Sequence, residues 1–312
     1  MLERDNDQEN GQDRFNEFGR AINQPTARSL IAATETDIPF MTRKHSSKAP
    51  RRPAVNDAWE RGWRHYWRKT GMSGYELPSG GRGGHERDFL ATARTPQKEK
   101  ARLKRINDEF GRAFKTFYDV GPAVTVFGSA RFKETHPYYR LARAVGAELA
   151  RAGFATLTGG GPGIMEAANR GAHEAGGRSY GLNIILPHEQ AENPYVDRSL
   201  EFHYFFTRKV CLVKYSCAFI VMPGGLGTLD ELFEAATLIQ CRKIGPFPVI
   251  LMGAKFWAGL RRWGQFMMQE GVFAKDEIGF GYVTDSPAEA VKLIKQSLPP
   301  AVKARLKPVR SL

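Results

Sequence analysis

The stretch 218–240, AFIVMPGGLGTLDELFEAATLIQ, constrains the fold more than any other part of the chain. Its first five residues, Ala218 to Met222, form an apolar run short enough and β-branched enough for a buried parallel strand. Pro223-Gly224-Gly225-Leu226-Gly227-Thr228 then breaks the strand in a tight turn. Leu229, Leu232, Phe233, Ala236, Leu238 and Ile239 follow at roughly helical spacing. A strand, a glycine-rich turn and a helix start make a device for holding a phosphate. Glycines let backbone N–H groups approach the anion, and the first unpaired N–H groups of the helix point at it. Thr228 adds a hydroxyl donor. Asp230 and Glu231 are expected in the first helical turn, where the dipole favours carboxylates whether or not they do chemistry.

The chain repeats this unit. From about Gln97 a helix is expected over 98–118, a strand over 123–127 ending in Gly128-Ser129, and a helix over 138–152 closed by Gly153. A strand over 154–157 ends in Gly159-Gly160-Gly161-Pro162-Gly163, and a helix over 164–175 stops at Gly176-Gly177. Strands over 180–186 and 201–205 lead to a short helix over 208–215. After the 218–240 unit come a strand over 247–251, a helix over 256–269, a strand at 282–284 and a helix over 287–296. Such alternation predicts an α/β fold, a Rossmann-like, doubly wound, mostly parallel sheet with helices on both faces. Ligands bind such sheets beyond the carboxyl ends of the strands, where all three glycine turns lie.

Charge sets the front of the chain apart. Of the formal +13, residues 43–105 carry 17 Lys/Arg against 6 Asp/Glu, while residues 1–42 carry 4 against 8. The expected organisation is an extension over 1–96, mostly disordered, a Rossmann-like domain over 97–298 and a loose basic tail over 299–312. Trp59, Trp63 and Trp67 recur every four residues among arginines, which places them on one stripe of a short helix near 57–69. That stripe fits docking on the protein's own body; a partner protein, a nucleic acid or an anionic membrane are the alternatives. No apolar run approaches the roughly 18 residues of a membrane span. The polar, acidic start fits neither a secretory signal nor a transit peptide, and Cys211, Cys217 and Cys241 show no C-x-x-C pair. A cytoplasmic location is expected, with no disulfide framework and no metal site.

Gly159, Gly161 and Ile164 fail the G-x-G-x-x-G fingerprint, and no G-x-x-x-x-G-K-[ST] loop is present, which argues against a dehydrogenase or an NTPase. Gly159-Gly160-Gly161 with Gly163 and Met165, followed by Pro223-Gly224-Gly225-x-Gly227-Thr228-x-x-Glu231, resembles the paired signature of the LOG ("Lonely guy") family. Its members are nucleoside 5′-monophosphate phosphoribohydrolases, and many relatives carry the label "possible lysine decarboxylase". The resemblance covers roughly 120–296. The family's arginine–lysine pair maps onto Arg208-Lys209, and Gly128-Ser129 matches the end of its first strand. Phe205-Phe206-Thr207 stand where plant cytokinin enzymes show Met-His-Glu. That departure separates the nucleotidase chemistry from a cytokinin preference, and the preferred base stays open.

The resemblance implies hydrolysis of the N-glycosidic bond of a nucleoside 5′-monophosphate, AMP or a cytokinin riboside monophosphate, to free base and ribose 5-phosphate. It implies Glu231 and Arg208 as catalytic residues and Gly224, Gly225, Leu226, Gly227 and Thr228 as the phosphate site. Gly128, Ser129, Gly160, Gly161, Met165 and Lys209 would contact substrate, and a homodimer without a cofactor is expected. Cleaving the bond builds positive charge on the sugar, which a carboxylate offsets. Lysine decarboxylation would need a pyridoxal-bearing lysine and a partner for the pyridinium nitrogen, and nothing supplies them together. The alternative function is a nucleotide-binding or carrier protein using the same pocket without catalysis.

Overall fold

The computed structural model describes residues 84–91, 95–186, 191–245, 247–272 and 281–309. Residues 1–83 of the extension expected to be mostly disordered, with the tryptophan helix expected near 57–69, lie outside them. Seven parallel strands form one sheet in the order β4-β3-β2-β1-β5-β6-β7. They are β1 (Ala123–Phe127), β2 (Ala155–Thr158), β3 (Ser179–Ile184), β4 (Arg198–Phe202), β5 (Ala218–Val221), β6 (Val249–Leu251) and β7 (Tyr282–Val283). The helices are α1 (Gly84–Ala91), α2 (Pro96–Phe117), α3 (Pro137–Arg151), α4 (Ile164–Glu174), α5 (Phe205–Lys214), α6 (Leu226–Gln240), α7 (Ala254–Gln269), α8 (Pro287–Ser297) and α9 (Pro300–Lys303).

Side-chain alternation along the central strands explains why both faces are covered. Ala123, Phe127, Phe219 and Val221 point into one cluster, completed by Phe117 of α2, Cys211 and Leu212 of α5, and Leu232 and Ala235 of α6. Val124, Val126, Ala218 and Ile220 point into the other, with Val145 and Leu149 of α3, Ile164 and Ala168 of α4, and Ala290 and Ile294 of α8. A strand buried on both faces must be apolar at nearly every position, as β1 and β5 are. Helix starts follow local chemistry. Thr95 accepts from the Lys98 N–H ahead of α2, and Ser286 accepts from the Glu289 N–H ahead of α8, each with proline at the next position. No helix among the described residues is long and apolar enough to cross a membrane.

Several boundaries differ from expectation. The strand expected over 201–205 is Arg198–Phe202, and the helix expected over 208–215 starts at Phe205. Three further differences concern α6 and the two ends of the described chain. Helix α6 begins at Leu226, so Asp230 and Glu231 fall in its second turn and its first turn holds no acid. Gly225 caps it without a side chain, and an exposed Leu226 gives no periodic signal of a start. Residues 84–91, expected as part of the mostly disordered extension over 1–96, form α1. The tail expected to be loose opens with α9, and the Lys307 N–H donates to the Gly153 carbonyl at 3.2 Å. Gly153, at φ +91, leaves the space that the Lys307–Pro308 backbone occupies. Val302 and Leu306 pack against the second cluster, which gives the tail its anchor.

Candidate functional site

The strand order reverses between β1 and β5: β2 follows β1 on one side, and β6 follows β5 on the other. Loops leaving such neighbours diverge and open a crevice at the carboxyl end of the sheet. Phe127 pairs with Val221, so the two loops start side by side, and the Ser129 N–H donates to the Pro223 carbonyl at 3.0 Å. The loop after β2 joins them, with the Ile164 N–H donating to the Ser129 carbonyl at 3.0 Å. Glycine is required at this junction. Gly163 has φ +70, and a Cβ there would lie 2.5 Å from the Ser129 oxygen; a Cβ on Gly128 would lie 2.5 Å from the Ile164 side chain.

Above this junction lies an open cleft of about 760 Å³, inside the roughly 300–1,000 Å³ range of small-molecule sites. Gly128, Ser129, Met165, Arg208, all of 224–228 and Glu231 line it. One wall is the N-terminus of α6, which no side chain caps; the Thr228 and Leu229 N–H groups donate to the Gly225 carbonyl at 3.0 Å, behind the leading amides of the helix. Thr228 folds back over Gly224 so closely that a Cβ there would lie 2.1 Å from its Oγ1. The result is a bare backbone cradle with a hydroxyl at its side, suited to an anion.

Glu231 sits one and a half turns above the cradle and is only 6% exposed. Burial raises its pKa to about 7; Arg208 and Lys209 pull it down, and Glu234 and Asp230 push it up. A carboxyl poised there exchanges protons at neutral pH, as a general acid or base must. The Arg208 Nε–H donates to the Leu182 carbonyl at 2.9 Å, which aims the guanidinium across the end of β3. Its terminal nitrogen lies 2.6 Å from where a Cβ on Gly159 would be, so Gly159 makes room for it and for Met165. Burial presses the Arg208 pKa below the ordinary value, while Glu231 and Asp230 raise it; the guanidinium stays charged.

Gly160, Gly161 and Lys209 do not line the cleft. Gly160 and Gly161 are buried below it, where Asn193 donates its N–H to the Gly160 carbonyl and its Nδ2–H to the Gly161 carbonyl, each at 3.0 Å. Lys209 binds Asp230 at 3.0 Å and Glu234 at 2.6 Å, tying α5 to α6 and so fixing Arg208 relative to Glu231. Sequence reasoning left six lining residues out of the site, Phe127, Ala130, Arg131, Phe132, Asp230 and Phe256, while Phe205 entered only as a departure from the family pattern. Arg131 and Phe132 lie two and three residues past the Gly128-Ser129 turn, which is the one local signal that could have found them. Among the described residues no group of three His, Cys, Asp or Glu is placed to hold a metal ion.

Residues 165–294 match the family described as "Possible lysine decarboxylase". The cytokinin riboside 5′-monophosphate phosphoribohydrolase of Mycobacterium marinum is 30% identical over 51% of this chain and 86% of its own length. The enzyme of the same name from Mycobacterium tuberculosis is 30% identical over 49% of this chain and 82% of its own. A solved structure, the molybdenum cofactor binding protein from the phototrophic bacterium Rippkaea orientalis, aligns over 56% of this chain and 96% of that one at 26% identity. The TM-score of that alignment is 0.43. With relatives at 30% identity matched over more than four-fifths of their own length, the chain belongs to the LOG family of phosphoribohydrolases.

Proposed function

We propose that the protein hydrolyses the N-glycosidic bond of a purine nucleoside 5′-monophosphate, releasing the free base and ribose 5-phosphate. The observation that carries this reading is a carboxyl with its pKa near 7 on the same helix whose N-terminus forms the anion cradle. The phosphate occupies 224–228 with the Thr228 hydroxyl as an added donor. That anchor brings the ribose toward Glu231. Ionised Glu231 takes a proton from the attacking water and offsets the positive charge that builds on C1′ as the bond to the base nitrogen breaks. Arg208 holds the substrate and stabilises the departing base, which takes the electron pair of the broken bond and, through solvent, the proton that Glu231 removed from water, so that the carboxylate is regenerated. Met165, Phe132, Phe205 and Phe256 offer the base an apolar and aromatic surface.

The reading includes a homodimer. Leu226, Phe256, Trp263 and Phe266 leave a large apolar surface exposed on α6 and α7, and the cleft opens beside it. Lysine decarboxylation fits poorly, because Lys209 is held by two carboxylates away from the cleft. The test is incubation with AMP and with adenosine, followed by separation of products. Adenine and ribose 5-phosphate from AMP, with adenosine a poor substrate, support the proposal. AMP binding without release of base from any monophosphate supports a carrier instead.

A further inference from the structure

We propose that Glu86 of α1 and Glu109 of α2 are positioning residues that hold the first turn of α5 against the cleft, so that the two helices preceding the sheet complete the site. This rests on the reading of Arg208 given above. Helix α5 carries Phe205 and Arg208 into the cleft, three residues apart and therefore on one face. Its N-cap, Tyr204, provides no side-chain cap. The missing cap comes from 119 residues away: the Phe205 N–H donates to both carboxylate oxygens of Glu86, at 3.2 and 3.3 Å. A carboxylate satisfies an orphan amide there and complements the positive end of the helix dipole.

Glu109 secures the same turn from the other side. Its side chain is only 2% exposed. One oxygen accepts from the His203 N–H at 2.6 Å and lies 3.0 Å from His203 Nδ1, and the other accepts from the Thr207 hydroxyl. A buried carboxylate is tolerated where its oxygens are this well satisfied, and removing its role would leave an uncompensated group. Aromatic contacts fill the space between the two acids. Phe89 meets Tyr204 and Phe206 with ring centres 5.9 and 5.8 Å apart, and His85 meets His203 edge-on at 4.7 Å. Residues 203–207 are thus held by two helices that precede β1 and lie outside the 165–294 segment that carries the family match.

The test uses the full chain with Glu86→Ala, Glu86→Gln and Glu109→Gln, read by amide exchange over 203–215, by steady-state AMP hydrolysis and by melting temperature. Glu86→Ala should speed exchange at the start of α5 about tenfold with no loss of melting temperature. It should lower kcat/KM about tenfold, because displacing a positioned group by about 1 Å costs up to about 10²-fold. Glu86→Gln, whose amide oxygen still accepts the Phe205 N–H, should restore most of both effects. Glu109→Gln should also speed exchange at the start of α5. In an Arg208→Ala background, Glu86→Ala should change hydrolysis no further, since both act through one group. Unchanged exchange in the Glu86→Ala and Glu109→Gln proteins, or a full tenfold loss on top of Arg208→Ala, overturns the proposal. Faster exchange in a protein whose wild type hydrolyses no monophosphate leaves the clamp standing and removes the functional reading.

Discussion

Replacing Glu231 with glutamine should stabilise the fold at alkaline pH and leave it unchanged in acid. The carboxyl's pKa rises from the ordinary 4.5 to about 7 on folding, chiefly through burial. Between those values the folded protein binds the proton and the unfolded chain does not, so folding stability falls as pH rises through that window. The penalty is absent below about pH 4.5 and complete above about pH 7; at 1.36 kcal/mol per pH unit it reaches roughly 3 kcal/mol. The amide of Glu231→Gln has nothing to ionise. Urea unfolding of both proteins at pH 5 and pH 8 isolates the effect, because every other titrating group is common to the two. The difference in unfolding free energy should grow in favour of the variant by about 2–3 kcal/mol between the two conditions. A difference that stays constant with pH would refute the premise that Glu231 titrates near neutrality.

Activity should follow the same group. The kcat/KM for AMP should rise through about pH 7 to a plateau in the wild type, as Glu231 ionises to act as base; a flat acid limb in a pH–rate profile contradicts this. Arg208→Ala should lower kcat and raise KM together, by about 10²-fold in kcat/KM, in steady-state assays, since the guanidinium holds substrate in ground and transition states alike. Thr228→Val should act mainly on KM for the monophosphate, by about tenfold, and leave kcat near wild type. Light scattering at micromolar concentration should return the mass of a dimer, and a monomer mass would refute the dimer.

The parallel sheet was legible because β1 and β5 are apolar at every position but Thr125 and a glycine-bearing turn follows each. Those residues record burial on both faces and a sharp turn, which are local properties. The three glycine turns likewise announced a shared site, and all three meet at the β1–β5 crevice. What stayed hidden depends on distance along the chain. A glycine facing a ligand and one packed beneath Asn193 look alike in sequence, so Gly160 and Gly161 were read as contacts. Phe256 reaches the cleft from α7, and nothing near it in sequence marks that position. Glu86 and Glu109 precede the sheet and meet α5 only after the chain has crossed four strands. The start of α6 was misplaced by three residues because its cap is a glycine and its first residue an exposed leucine.

The most direct test of the account is release of adenine from AMP by Glu231→Gln beside the wild type, with AMP affinity measured on both by calorimetry. The amide keeps the shape of the side chain but neither accepts the proton of water nor offsets charge on the sugar. Loss of one such transition-state interaction lowers kcat by roughly 10²–10³. The account predicts a fall of that size with the AMP dissociation constant within a few-fold of wild type. Adenine release at the wild-type rate would contradict it and leave Glu231 a buried helix residue without a part in the chemistry.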